Sequence, residues 1–313
     1  MIGSPDRLAG FAAALRLDDL PQPVRDAARG SLLDGIGDAL AAAHAPALDT
    51  LLAALAPFAG PARVSIPGRS ERLDALHATL AIGYAARLGG RDDARRDGRD
   101  PAPAVLPVVL ALAEWAPRGA VGGAALLAAY ATGLEVGCRA GAGPLPGSRA
   151  RDARCAGLGA AFGAAAAAGR LLGLDAAGMG RAFAIAAAQP CHPGRWRGDP
   201  ASVHELASAA PHGLLAALLA AQSFPGAQRA APVPRGGIPE PAGAPGEDPP
   251  CAGPGARWLS LAAPVRTGTE AGFESRAAPV LGAERARWLA ELCQYLERVP
   301  DARVLAELAA GGA

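Results

Sequence analysis

Residues 156–173, AGLGAAFGAAAAAGRLLG, place alanine or glycine at 13 of 18 positions. A helix this poor in bulky side chains covers little area itself, but it lets neighbouring backbones approach closely. That suits a packed multi-helix domain better than a sheet. The stretch falls short of the ~20 apolar residues that a membrane span requires, so it reads as a buried helix. The same character recurs in DALHATLAIGYAARL, AVLPVVLALAEW, GAALLAAYATGLEVGCRAG, GMGRAFAIAAAQ and ELASAAPHGLLAALLAAQ, with Gly and Pro expected at the ends. The pattern predicts an all-α fold, a single large multi-helix domain.

Nearer the N-terminus, Ser4-Pro5-Asp6 supplies a cap, a first-turn proline and an early acid ahead of Leu8, Phe11, Ala12 and Leu15 at helical spacing. A second helix is expected after Pro21, with Val24, Ala28, Leu32, Ile36 and Leu40 as its apolar stripe, and a third around TLLAALAPFA. ARVSIPGRS is the one strand-like stretch. Residues 225–255 are dense in Pro and Gly and read as a linker. Helix resumes in GAERARWLAELCQYLERV, where Trp288, Leu292, Tyr295 and Leu296 are predicted to line one face. No fixed-period repeat emerges, which disfavours a solenoid.

With 313 residues, 51% of them hydrophobic, the chain can bury a substantial core. Thirty basic residues against 29 acidic ones leave a formal charge of +1, which removes the electrostatic case for a nucleic-acid or acidic-membrane partner. Every basic residue is arginine, so a lysine Schiff base, a lysine general base and a P-loop lysine are all excluded. The five cysteines, Cys138, Cys155, Cys191, Cys251 and Cys293, form no CxxC pair and read as reduced residues of a cytoplasmic protein. The N-terminus lacks a basic region followed by a continuous apolar run, so no signal peptide is expected.

Three stretches carry chemistry. Arg91, Asp92, Asp93, Arg95, Arg96, Asp97, Arg99 and Asp100 form a charge-balanced run, either a solvated connector or an acidic catalytic loop. Asp100 before Pro101 also suits a helix cap. Arg154 follows Arg149 and Arg151 just ahead of the glycine-rich helix, where arginines and a helix start together favour an anion. QPCHPGRWRGDPASVHEL packs His192, Ser202, His204 and Glu205 into a short segment, and either histidine suits proton transfer near neutral pH. A metal site is not expected, because position 208 is serine where HExxH needs histidine. GLGAAFG imitates a dinucleotide fingerprint but lacks the preceding strand, and no GxSxG elbow exists. No cofactor is predicted.

The order of LPQPVRDAARGSLLDGIGDALAAAHAP, HATLAIGY, DPAPAVLPVVLALAEW, LLAAYATGLEVGCR, GAAFGAAAAAGRLLGLD and FESRAAPVLGAERARWLAELCQYLE resembles the MmgE/PrpD family. That family includes 2-methylcitrate dehydratase and cis-aconitate decarboxylase. The resemblance covers residues 5–224 and 270–309. It implies a large helical domain with a smaller α+β lid inserted before the last helices. On this reading 1–224 form the first part of the helical domain, 225–269 stand as a linker in place of the lid, and 270–313 complete the helical domain. The composition of the linker gives it no α+β core of its own.

Carried over without a gap, the family's key aspartate falls on Ala85 and its second histidine on Asp100. With the extra residues placed earlier, Asp92 and Asp93 take the acidic positions. A family histidine falls on Arg154 and a family lysine on Ser202. The resemblance thus implies a divergent lyase, cyclase or isomerase acting on a small polar or carboxylated intermediate in specialised metabolism. Asp92, Asp93 or Asp100 would handle protons, Arg154 and His192 would bind substrate, and Ser202 with His204 would complete the site. The competing reading is a non-catalytic homologue that binds a metabolite or a partner protein. By the same resemblance the protein is expected to be a homodimer.

Overall fold

The computed structural model describes residues 5–90, 100–115, 117–141, 156–188, 200–224 and 270–311. Among them the chain forms α1 (Pro5–Ala14), α2 (Gln22–Ala41), α3 (Pro46–Leu55), α4 (Ala75–Gly89), α5 (Ala102–Trp115), α6 (Gly123–Gly141), α7 (Ala156–Leu171), α8 (Ala176–Ala186), α9 (Pro200–Ala221), α10 (Glu270–Leu281), α11 (Ala283–Gln294) and α12 (Arg303–Ala309). The only sheet among these residues is a two-stranded ribbon, β1 (Val64–Ser65) antiparallel to β2 (Arg72–Leu73), with Val64 opposite Leu73. The protein is all-α, as the alanine-rich pattern predicts.

Helix α5 organises the bundle. Every residue from Ala102 to Ala113 is buried, and a helix apolar all round must be enclosed on all sides. Its Val105, Leu106 and Val109 join a core with α2, α4 and α6, while Ala104, Val108 and Leu112 join a second core with α1, α7, α8 and α9. The expected α2 stripe of Val24, Ala28, Leu32, Ile36 and Leu40 is buried in the first.

Glycine allows α6 and α7 to approach closely. A Cβ on Gly133 would sit 2.8 Å from the Gly163 carbonyl oxygen and 2.6 Å from Val105, and one on Gly163 would sit 2.6 Å from the Gly133 carbonyl oxygen. Only glycine on both sides permits such backbone contact.

The C-terminal helices belong to the same interior. Phe273, Leu289 and Leu296 are fully buried in the core that holds Leu32 and Ile36. The Arg276 guanidinium of α10 is ion-paired with Asp34 and lies 3.7 Å from Asp38, both on α2.

Three local expectations need correction. Pro107, Pro211 and Pro279 lie inside helices rather than at their ends; for Pro107, burial of the surrounding α5 turns outweighs the local cost of a missing N–H donor. The strand-like ARVSIPGRS does contribute β1, but its partner β2 is the Arg72–Leu73 pair, too short to carry a strand signal of its own. On α11 and the turn after it, Leu292 and Leu296 of the expected face do pack on the core, but Trp288 and Tyr295 face solvent, while Ala286, Leu289, Ala290 and Cys293 complete the buried side. Small side chains pack there, and the large aromatics are left outside.

No single helix among the described residues is long and apolar enough to cross a membrane. One pair, Gln22–Ala41 with Pro46–Phe58, meets that test only when joined across an 87° bend. Residues 225–269, the expected linker, lie outside the described residues.

Candidate functional site: buried charge at one end of the bundle

Neighbour relations along the helices place six helix ends together. Helix α6 runs antiparallel to α7, with Gly137 at Gly159, and antiparallel to α5, with Gly137 at Pro101. Helix α8 runs back along α7, with Met179 at Gly169 and Phe183 stacked on Phe162 at 5.2 Å. Helix α9 runs parallel to α7, with Gly213 at Ala164 and Glu205 at Gly157, and antiparallel to α4, with Ala207 at Gly83. The C-termini of α4, α6 and α8 and the N-termini of α5, α7 and α9 therefore share one end. The C-terminal turn of α2 joins them, because a Cβ on Gly89 would fall 1.9 Å from the Asp38 carbonyl oxygen.

Buried charge collects at this end. The buried charged residues among those described are Asp34, Asp38, Asp100, Glu135 and Arg139, and all lie on the converging turns. Glu135 is fully buried and accepts a 2.6 Å hydrogen bond from Arg139 Nε. The Arg139 guanidinium also lies over the Phe11 ring, 5.9 Å from its centroid. Asp100 Oδ1 accepts the Ala102 backbone N–H at 2.9 Å, the helix-cap geometry that its place before Pro101 predicts. Burial pulls the Arg87 guanidinium below its ordinary range, and the neighbouring Asp100 charge partly restores it. Burial pushes the Cys138 thiol well up, helped by Glu135 and Asp100 and opposed by Arg139. Asp100, Glu135 and Arg139 therefore all lie close enough to act on the Cys138 thiol.

One turn of α4 before Arg87, Tyr84 reaches α9. Its hydroxyl lies 2.5 Å from His204 Nδ1, with the two rings edge-on at 5.9 Å between centroids. Tyr84 is half-buried and His204 exposed. Burial raises the Tyr84 phenol, while burial and then the charge of His204 lower His212.

Of the residues expected from sequence, Asp100 and His204 are brought to the same end, linked through Arg87 and Tyr84 on successive turns of α4. Ser202 lies in the first turn of α9, with its side chain outside the described set. Asp92, Asp93, Arg154 and His192 lie outside the described residues, although the helix ends flanking their segments all sit here. Sequence reading missed Arg87, Glu135 and Arg139, whose signal was ionisable residues inside otherwise apolar helical runs. Tyr84 gave no such signal, since its role depends on a contact between α4 and α9. No group of three or more His, Cys, Asp and Glu suited to a metal occurs among the described residues.

A sequence profile of the MmgE/PrpD N-terminal domain matches residues 6–240, three quarters of the chain. The chain belongs to the MmgE/PrpD family. A curated relative, cis-aconitate decarboxylase of Aspergillus terreus, is 28% identical over 193 residues. That match covers 60% of this chain and 39% of the relative, so the chain spans about two fifths of the relative's length. The all-helical architecture is the one expected of an MmgE/PrpD N-terminal domain.

Proposed function

We propose that this MmgE/PrpD protein is a lyase, cyclase or isomerase that acts on a small polar or carboxylated intermediate at the Asp100 end of the bundle. The observation that carries this reading is the gathering of buried carboxylates and guanidiniums where α4, α5, α6, α7, α8 and α9 converge. Elimination or isomerisation of a carboxylic acid needs a proton acceptor, a proton or hydrogen-bond donor, and cations for the carboxylate. Asp100, or Asp92 and Asp93, supplies the acceptor. His204 with Ser202 supplies hydrogen bonding, and Arg154 and His192 hold the anion. In a low-dielectric setting such fixed charges act more strongly than in water. The reading includes residues 225–269 as a linker in place of a lid, with a second copy of the chain as the partner.

A second reading is supported by the pairing of Glu135 with Arg139 and of Arg276 with Asp34. Buried charges that already satisfy one another suit a non-catalytic binder equally well. Incubation with cis-aconitate and with citrate, followed by product analysis, separates the two. The enzyme reading predicts conversion of a carboxylate of this class, cut at least about 100-fold by Asp100→Asn. It fails if the triple variant Arg154→Ala, Asp100→Asn and His204→Ala turns over as fast as the parent. Thermal stabilisation by either acid without turnover supports the binder.

A further inference from the structure

We propose that His204 serves this end of the bundle as a fixed hydrogen-bond donor through Nε2, and not as its base, with Tyr84 as the residue that holds it in that state. The hydroxyl of Tyr84 and Nδ1 of His204 are 2.5 Å apart, so one carries the shared proton and the other accepts it. A phenol is the stronger acid of the two and an imidazole nitrogen the stronger acceptor, so the O–H of Tyr84 donates to Nδ1. Burial of Tyr84 works the same way, since it holds the phenol in its protonated form. The reverse arrangement would leave the phenol proton without an acceptor in a half-buried site, which costs free energy.

With its Nδ1 lone pair engaged, neutral His204 must carry its proton on Nε2. No partner for Nε2 occurs among the described residues, and the ring is exposed on the first turns of α9 beside the converging helix ends. The group it presents is an N–H donor, suited to an anionic oxygen such as a carboxylate or an enolate formed from one. Such a donor stabilises charge that develops on oxygen without giving up its proton. Proton abstraction then falls to the carboxylates, Asp100 first among the described ones. The assignment deepens the lyase reading in its choice of acceptor, but the tautomer itself does not depend on any reaction.

Nitrogen-15 NMR of the uniformly labelled full chain tests it, recorded well above the ordinary imidazole range so that the ring is neutral. The chain has five histidines, and His204→Gln identifies the signals of His204. In the parent, His204 is expected as a single tautomer with Nε2 protonated and Nδ1 a hydrogen-bonded acceptor. Tyr84→Phe keeps the edge-on ring contact and removes only the hydroxyl, so it is expected to release the ring into exchange between its two tautomers. A His204 protonated at Nδ1 in the parent, or a tautomer balance unchanged in a folded Tyr84→Phe protein, overturns the proposal. Should Tyr84→Phe not fold, the parent spectrum alone decides. Absence of turnover on carboxylic acids, with the tautomer locked as described, would instead count against the lyase reading and leave this assignment standing.

Discussion

The two buried thiols are the simplest place to check the electrostatics of the interior. Burial pushes Cys293 up to about 12, and Cys138 is raised by burial together with Glu135 and Asp100. A thiol alkylates through its thiolate, so neither residue is expected to react with iodoacetamide at about pH 8 until the protein is unfolded. Peptide mass mapping reads this directly, and alkylation of Cys138 in the folded protein would contradict the charged surroundings assigned to it. Asp74 behaves oppositely. Burial raises its carboxyl, but hydrogen bonds from the His77 side chain and from the Gly60 and His77 backbone outweigh that and hold it below the ordinary value. A carboxyl depressed in the folded state stabilises the fold above its unfolded value, and loses that contribution as pH falls through the folded one. Asp74 also caps α4, accepting from the Leu76 and His77 N–H groups. Asp74→Ala is therefore expected to cost about 1 kcal/mol at neutral pH, with the gap from the parent narrowing in acid denaturation profiles. At this scale Asp100 was legible, because aspartate before proline at a helix start has a local reason to be there. Tyr84 was not, since nothing within its own helix announces a partner on α9.

For the helices, the alanine-glycine pattern told which segments coil but not which faces meet. The facing of α6 and α7 rests on the absence of two side chains, Gly133 and Gly163, and an absence marks no direction in a sequence where glycine is frequent. Gly163→Ala is expected to force the two backbones apart and to destabilise the protein by about 1–3 kcal/mol, as overpacking does. Urea denaturation measures this, and a neutral result would mean that the helices are not held so close. On α11 the aromatic residues suggested the buried face and the alanines took it, since Ala286 and Ala290 allow tighter packing than Trp288 would. Arg276 ties α10 to Asp34 and Asp38. Its removal takes a cation from beside two buried carboxylates, so Arg276→Ala is expected to cost about 2–4 kcal/mol. It should also speed hydrogen exchange in α10 ahead of α5. Equal exchange in the two helices would show that the C-terminal block does not depend on that tie.

For the molecule as a whole, the sequence disclosed the fold class and the family order of segments, because both are written in local composition and succession. Beyond Asp100 and His204 it did not disclose how the candidate site is assembled, because residues at a bundle end come from the last turn of one helix and the first turn of the next. Arg87 and Asp100 are separated by a charge run that looks like solvated connector, and Glu135 and Arg139 sit four apart in a run otherwise fit for the core. Only the stacking of α4, α5, α6, α7 and α9 brings them together. The central claim is that this end, and no other part of the bundle, receives a small carboxylated molecule. Backbone and arginine side-chain chemical shifts followed during titration with citrate and with cis-aconitate test it most directly. The account predicts saturable shifts concentrated at Tyr84, Arg87, Asp100, Glu135, Arg139 and His204. Shifts confined to the opposite end, or scattered over surface arginines without saturation, would contradict it.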